Sequence, residues 1–431
     1  MSFCRSTAGA TVFGACLLLL AVRAGAVVQI PQPLTLDAAL AWADEYNPAV
    51  RAAAIRIRRL GGEAVHADVA VPSNPRVELE AGRRDQPGGA DTDIGIRISQ
   101  TFWIAGQAGL RSAAADQSLA AAQADHAYLT ATVAARTRAA FLSVLVAEQA
   151  VTTAERVVDT NRQLDDYARR RLDAGAGTRI ETNAARLGLQ RARAFAAAAH
   201  DAATQARLRL KNLLAIDPAR HLAIKGQLAF RRLELPDEER LLERAVQQRG
   251  DLQAAAARIV AARKQLALAE RQIVPNLTVF GFYREEAGGR SAGGADITGG
   301  GIGFELPLMH RYEGERQIAD ADLAEAQLDA ANLQREVRLQ VLSGLSAYRA
   351  ARERADVLSD AVLDAAQSTL ELTRRSFAAG KVGAPAITSA QNNLIDIRRD
   401  YLDALASLVR AGTDLERATG GLIVMANGQG E

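Results

Sequence analysis

The chain is poor in the side chains that usually build reactive sites and dense cores. Its only cysteines, Cys4 and Cys16, lie in the first 26 residues, so the remainder has no disulfide framework and no thiolate for a metal. The five histidines, His66, His126, His200, His221 and His310, are scattered, with none three or four residues from another. That excludes a helical histidine pair as a metal clasp. Beyond Met1 the methionines are Met309 and Met425, too few for a methionine relay. Neither GxSxG nor a P-loop occurs, and Gly299-Gly300-Gly301-Ile302-Gly303 sits in a strand-like stretch where a wall or bend explains it better than a phosphate. No constellation for catalysis or for a cofactor emerges. Aromatics are 4% of the chain, thin for a large globular core, whereas closely packed helices tolerate abundant alanine. Charge of one sign is also lacking: 52 Lys and Arg, less Arg5 and Arg23 of the leader, match 50 Asp and Glu, which gives no electrostatic reason to expect nucleic acid. After residue 26 no run approaches 18 apolar residues, so no transmembrane helix is expected.

What is present begins with a secretory signal at 1–26: Arg5, an apolar run from Ala8 to Val22, and Ala24-Gly25-Ala26 as a small-residue cleavage site. Cys16 after Gly14-Ala15 is a second reading, a lipidation site, although Phe13 stands where leucine is usual. The mature chain is organised around Glu315–Thr419, a helical stretch broken once at Gly380-Lys381-Val382-Gly383-Ala384-Pro385. At about 1.5 Å per residue, Glu315–Ala378 would span roughly 95 Å, far beyond an ordinary domain core. The same object occurs earlier, where Leu110–Leu172 lacks Gly and Pro and ends at Asp173-Ala174-Gly175-Ala176-Gly177-Thr178. Gly175 falls on Gly380 without a gap through Leu189 and Leu394, an offset of 205 that reads as a duplicated half-molecule.

In chain order, 27–34 is a lead and 35–217 the first repeat. Thr35 is a candidate N-cap, Asn47-Pro48 a kink or break, and helical periodicity runs to about Ala70. The period then becomes two: Val77, Leu79 and Ala81 alternate with polar residues. After a turn at Asp85–Asp93, so do Ile94, Ile96, Ile98 and Phe102. This β-hairpin (76–102) leads into a long helical hairpin (105–214). Residues 218–236 connect, and the second repeat (237–419) copies the order: a helix capped by Asp237 and running to about Val274, a β-hairpin (276–307) turning at Ala287–Ala295, and a helical hairpin (312–419). Residues 420–431 form a tail. Heptad-like stripes, Ala140, Val144, Ala147, Val151, Ala154 and Val158, then Ala355, Leu358, Val362, Ala365, Thr369 and Leu372, point to coiled-coil seams.

Alternating strands of about nine residues have the length of transmembrane β-strands. Four of them cannot close a barrel, because an edge in lipid leaves backbone groups unpaired at several kcal/mol each. Pooling three chains would give twelve strands. A soluble helical bundle capped by two hairpins explains the strands alone equally well, but not their combination with an export signal and giant helices.

The order of these parts resembles the TolC-type outer-membrane efflux factors over roughly Leu34–Thr419. The local marks are Leu34-Thr35-Leu36-Asp37-Ala38-Ala39-Leu40, Asn47-Pro48-Ala49-Val50-Arg51-Ala52, Asn74-Pro75-Arg76-Val77-Glu78-Leu79, Ile98-Ser99-Gln100-Thr101-Phe102 and Phe304-Glu305-Leu306-Pro307-Leu308. Asn74-Pro75 and Ser99-Gln100 are most similar to the heavy-metal, CzcC-like branch. The resemblance implies a mainly α fold with a small β part. It would form a homotrimer with a twelve-stranded barrel in the outer-membrane lipid of a Gram-negative bacterium and a twelve-helix coiled-coil tunnel in the periplasm. It implies a passive duct without catalytic residues, joined through a periplasmic adaptor (membrane fusion) protein to an inner-membrane pump of the resistance-nodulation-division type. Gly175, Gly177, Thr178, Gly380, Lys381, Val382 and Gly383 match its adaptor-docking tips. Glu181 fits an acidic aperture residue, with Asp173, Arg374 and Arg375 as candidates for aperture ion pairs. Ala386 and Ser389 stand where the second repeat of the family often has Asp. Heavy-metal cations are the expected cargo. The same duct for drugs or for type I protein secretion, and a soluble periplasmic coiled-coil adaptor, are the alternatives.

Overall fold

The structure is a computed structural model and describes residues 30–421 apart from 87–88, 227–234, 288–293 and 359. The signal and both cysteines therefore lie outside the described residues, as do the middle of the connecting segment and most of the tail.

Each repeat opens with two short helices meeting at a corner. In the first, α1 (Leu36–Tyr46) is capped by the Thr35 hydroxyl, as expected, and α2 (Pro48–Ala67) begins with proline at its first turn. Asn47 between them takes an extended conformation, and its side chain accepts from the amides of Ala49 and Val50. Strands β1 (Arg76–Gln86) and β2 (Gly89–Phe102) follow, then α3 (Gln107–Asp173) and α4 (Arg179–Leu213). In the second repeat α5 (Glu238–Gln248) and α6 (Gly250–Arg271) lead to β3 (Leu277–Glu286), β4 (Ala295–Phe304), α7 (Glu313–Val357), α8 (Asp360–Ala378) and α9 (Ala384–Ala418). The fold class is the one expected, mainly helical with one small antiparallel sheet.

Four details differ from the sequence reading. The helix expected from Asp237 to Val274 is broken at Arg249, which is extended (φ −73°, ψ 115°). Gly250 has to be glycine there, since a Cβ would come within 2.5 Å of the Ala124 carbonyl oxygen. The first β-turn is tighter than Asp85–Asp93, because pairing continues through Asp85↔Ala90 and Gln86↔Gly89. The first coiled-coil stripe is buried at Val144, Ala147 and Ala154, but the second is not where the heptads put it. Leu372 is 59% exposed, and the buried positions are Ala366, Leu370 and Phe377, because α7 stops at Val357 and the phase set at Ala355 does not carry through. Finally, α3 contains an 18-residue window apolar enough to cross a membrane by composition, with 44% of it buried. This helix supplies Val133, Phe141, Val144 and Leu145 to a core shared with Leu34, Ala39, Ala43, Ala206 and Leu210.

The duplication is visible in atomic contacts. Asn47 Nδ2 donates to the Leu213 carbonyl (2.8 Å), and Arg249 Nη1 donates to the Ala418 carbonyl (3.2 Å). Leu213 and Ala418 are 205 residues apart, so each corner residue satisfies an orphan carbonyl at the C-terminus of its own return helix. Matching cores repeat as well: Ala206 and Leu210 correspond to Ala411 and Leu415, and both pairs are buried. The Arg249 corner is the larger. Its guanidinium, 1% exposed, also pairs with Asp251 (2.6 Å), donates to Gln340 (2.8 Å) and Tyr128 (3.1 Å), and lies over the Tyr128 ring. Burial acts to lower its pKa, but the Asp251 hydrogen bond and charge outweigh that and hold it above the ordinary value. The side chain thus joins α3, α6, α7 and α9 at one point.

Removing this charge strands Asp251, Gln340 and the Ala418 carbonyl. We expect Arg249→Ala to cost about 3–5 kcal/mol, against about 1–2 kcal/mol for Asn47→Ala, as read from denaturant unfolding of the detergent-extracted protein. In the same assay Gly250→Ala destabilises by about 1–3 kcal/mol through contact with fixed backbone. Gly61→Ala and Gly62→Ala, in the open on α2, stabilise by up to about 1 kcal/mol each.

Candidate functional site

Two regions of the molecule have shapes that a self-contained fold does not require. The first is the sheet, with order β1-β2-β3-β4, in which the hairpins of the two repeats join through nine β2–β3 pairs from Ile94↔Glu285 to Phe102↔Leu277. Directly paired residues share a face, so the register sorts the side chains into two surfaces. One carries Val77, Leu79, Ile96, Ile98, Val279 and Ile302, all exposed, Leu79 by 78%. The other carries charge and hydroxyls. Arg84 pairs bidentately with Asp93 (2.5 and 3.0 Å) and reaches Glu286 (3.7 Å), Arg284 pairs with Glu80 (3.3 Å), and Thr101 bonds Thr278 (2.9 Å). An exposed apolar face backed by an ion-paired one is inside-out for a water-soluble sheet. It suits lipid on one side and an aqueous lumen on the other. The outer edges of β1 and β4 have no strand partner among the described residues.

The second region lies at the far end of the long helices, where the two glycine turns stand together. Both use one solution. Gly175 (φ +70°) and Gly380 (φ +72°) occupy the left-handed position that ends a helix, and the next amide bonds back five residues, Ala176 to Arg171 O (2.9 Å) and Lys381 to Ser376 O (2.8 Å). Gly177 is tightly placed, since a Cβ there would meet the Leu172 amide at 3.0 Å. Beyond the turn the repeats diverge. Thr178 and Glu181 form a capping box on α4, with Glu181 N to Thr178 Oγ1 at 3.2 Å and Thr178 N to Glu181 Oε2 at 3.0 Å. At the second tip Gly383 is the N-cap of α9 without a side-chain cap, followed by Pro385.

The sequence-selected residues are therefore brought to one end of the molecule. Gly175, Thr178, Gly380, Lys381 and Gly383 are exposed, while Gly177 is half-buried. Val382 is half-buried and packs against the apolar cluster that contains Phe377 and Ile387. Glu181 is half-buried and engaged in its cap. Asp173, Arg374 and Arg375 make no ion pair among the described residues of one chain. Sequence reasoning missed what ties the tips together. Arg171 donates to the Ala176 carbonyl (2.7 Å) in the first turn while its guanidinium lies over Phe377 of α8, 5.1 Å from the ring centroid. Tyr167 meets the same ring edge-on at 6.0 Å. The scarcity of aromatics was the available signal, because Tyr167 and Phe377, each within about two helical turns of a glycine turn, stand out in an alanine-rich background. A buried polar layer lies further from the tips, with Asn161 on α3 against Gly188 of α4, and Gln391 of α9 beside it.

Known proteins share this arrangement. The family described as outer membrane efflux protein matches residues 40–215 and 241–421. The chain belongs to that family. It is similar to the cobalt-zinc-cadmium resistance protein CzcC of Cupriavidus metallidurans, 26% identical over 393 residues that cover 90% of each chain. It is also similar to Protein CyaE of Bordetella pertussis, 30% identical over 307 residues, a match spanning 67% of this chain and 64% of that protein's length. Among solved structures, CusC superposes with a TM-score of 0.75 at 16% identity, covering 90% of this chain and 92% of that one. The Neisseria gonorrhoeae MtrE outer membrane channel, in its open state, gives 0.74 at 20%, covering 90% and 89%. At such identities these likenesses speak to the fold, which is that of outer-membrane channels. The sheet is accordingly the outer-membrane part of this efflux protein, and the helices are its long periplasmic part.

Because Phe377 is the shared anchor of both tips, Phe377→Ala should cost about 3–5 kcal/mol locally. It should speed amide hydrogen exchange across 171–177 and 376–383 and leave exchange in the sheet unchanged.

Proposed function

We propose that three copies of this chain assemble into a passive duct that carries heavy-metal cations out of the cell. The observation that carries the reading is the four-stranded sheet, apolar outside, ion-paired inside and open at both edges. Lipid offers those edges no hydrogen bonds, and closing β1 of one copy on β4 of the next around a threefold axis supplies them. The chain itself is a conduit: it binds no cofactor and drives nothing, and an inner-membrane pump of the resistance-nodulation-division type provides the work through a periplasmic adaptor. Gly175, Gly177, Thr178, Gly380, Lys381, Val382 and Gly383 are the surface that meets the adaptor. The metal cargo is supported by similarity to a cobalt-zinc-cadmium resistance protein along 90% of the chain, which ranks it above drug or protein cargo. The exposed apolar sheet face speaks against a soluble adaptor.

At the tips, Glu181 is held by its own helix cap at a fixed place, and three copies would set a ring of carboxylates at the aperture. Asp173, Arg374 and Arg375 are free to pair between copies. Planar-bilayer recording of the detergent-extracted trimer tests both levels. The duct reading expects discrete openings, and the aperture reading expects Glu181→Gln to weaken block by divalent and trivalent cations several-fold with little change in conductance. Openings indifferent to Glu181 would remove the aperture assignment alone. A soluble monomer without conductance would remove the duct.

A further inference from the structure

One contact on the polar face of the sheet is not accounted for by strand pairing or ion pairing. Arg97 on β2 stands between Glu78 of β1 and Phe282 of β3 in the register. Its guanidinium nevertheless has no carboxylate at ion-pairing distance among the described residues. It lies over two rings instead, 5.0 Å from the Phe280 centroid and 5.9 Å from that of Phe282. These two phenylalanines are large apolar groups on the face that also carries Arg84, Glu80, Thr101 and Thr278.

The next strand explains how they are accommodated. Phe280 pairs with Gly301 and Phe282 with Gly299. A Cβ at Gly301 would fall 2.8 Å from the Phe280 ring and one at Gly299 2.7 Å from the Phe282 ring, so each ring lies across the space its glycine leaves empty. Aromatic rings covering cross-strand glycines keep flat against a sheet. The three strands thus form a stack of one purpose: glycine on β4 lets phenylalanine on β3 lie down, and phenylalanine gives the guanidinium of β2 a flat surface to rest on.

We propose that Phe280, Phe282, Gly299 and Gly301 hold Arg97 flat against the barrel wall, so that a cation ring that would otherwise narrow the lumen and repel cations is kept out of the path. Arg97 is in this sense a cation that the wall keeps withdrawn from the lumen, and Phe280 and Phe282 are its positioning residues. The inference rests on the duct reading above, because it requires the polar face to line a lumen. A planar guanidinium is needed for the stack, since the compact ammonium of lysine is held less well by a ring face.

The test is block of single-channel current by inositol hexakisphosphate added on the barrel side, a polyanion that would find three projecting guanidiniums. In the unmodified trimer block should be weak, and Arg97→Gln should change it little. Phe280→Ala with Phe282→Ala should strengthen block at least about tenfold, and adding Arg97→Gln to that pair should abolish the gain. If the alanine pair does not assemble, Phe280→Leu with Phe282→Leu keeps apolar bulk but removes the ring faces, and the same gain is expected. Unchanged block in the assembled pair overturns the proposal. So does strong block in the unmodified trimer that Arg97→Gln removes, because the guanidinium would then already project. A gain that survives Arg97→Gln assigns the effect to the wall itself and equally overturns it. Absence of any conducting trimer from the unmodified chain overturns the duct reading and this inference with it.

Discussion

Backbone hydrogen bonding at the two edges of the sheet is the constraint from which the rest of the molecule follows. Four strands that present an apolar face to lipid leave the outer N–H and C=O groups of β1 and β4 without a strand partner among the described residues. Only another sheet can satisfy them, which makes the chain a segment of a larger ring. The helices inherit that geometry. Each β-hairpin runs directly into a long helical hairpin, so whatever closes the strands into a cylinder arranges the helices around the same axis. This accounts for a small core relative to length. The side chains that would fill a globular interior are replaced by alanine seams between neighbouring helices, and the space a core would occupy is left for transit.

Such a long, thin object needs rigid joints where its parts change direction, and the corners at Asn47 and Arg249 supply them. In both repeats a residue that interrupts a helix turns its side chain onto the last carbonyls of the return helix. The polar groups freed by ending one helix therefore satisfy those freed by ending another. The first corner uses a neutral amide and the second a buried guanidinium that also reaches α3 and α7. The second corner thereby links the two repeats, beside the β2–β3 ladder and the Arg171–Phe377 contact at the tips.

The sequence made the punctuation of the fold readable and its tertiary bargains obscure. Gly175 and Gly380 are needed by local backbone conformation, so the turns and their offset were visible without any partner. Thr35, Asn47-Pro48 and Asp237 announce helix starts by the same local chemistry. The break at Arg249 has no such mark. Gly250 is glycine because of the Ala124 carbonyl across the interface, and a lone glycine after an arginine reads as tolerable within a helix. The seam of α8 was misplaced for a related reason: periodicity extrapolated from Ala355 presumes an unbroken helix, and Leu372 ended on the outside. Strand alternation was plain, but it treats Phe280 and Phe282 as ordinary members of a face. Their relation to Gly299, Gly301 and Arg97 exists only once three strands are in register. At the tips, the glycines and Glu181 were legible, whereas the Arg171–Phe377 clasp joins residues more than 200 positions apart and left no local trace.

The two tips are alike up to the glycine and unlike after it. The first continues into a helix whose opening amides are closed by Thr178 and Glu181. The second continues into one that starts with Gly383 and Pro385 and has no side-chain cap. Six tips arranged around one axis would then alternate between stiff and compliant. A closure built from them would carry threefold rather than sixfold mechanical symmetry, its three uncapped tips yielding while the three capped ones serve as fixed posts.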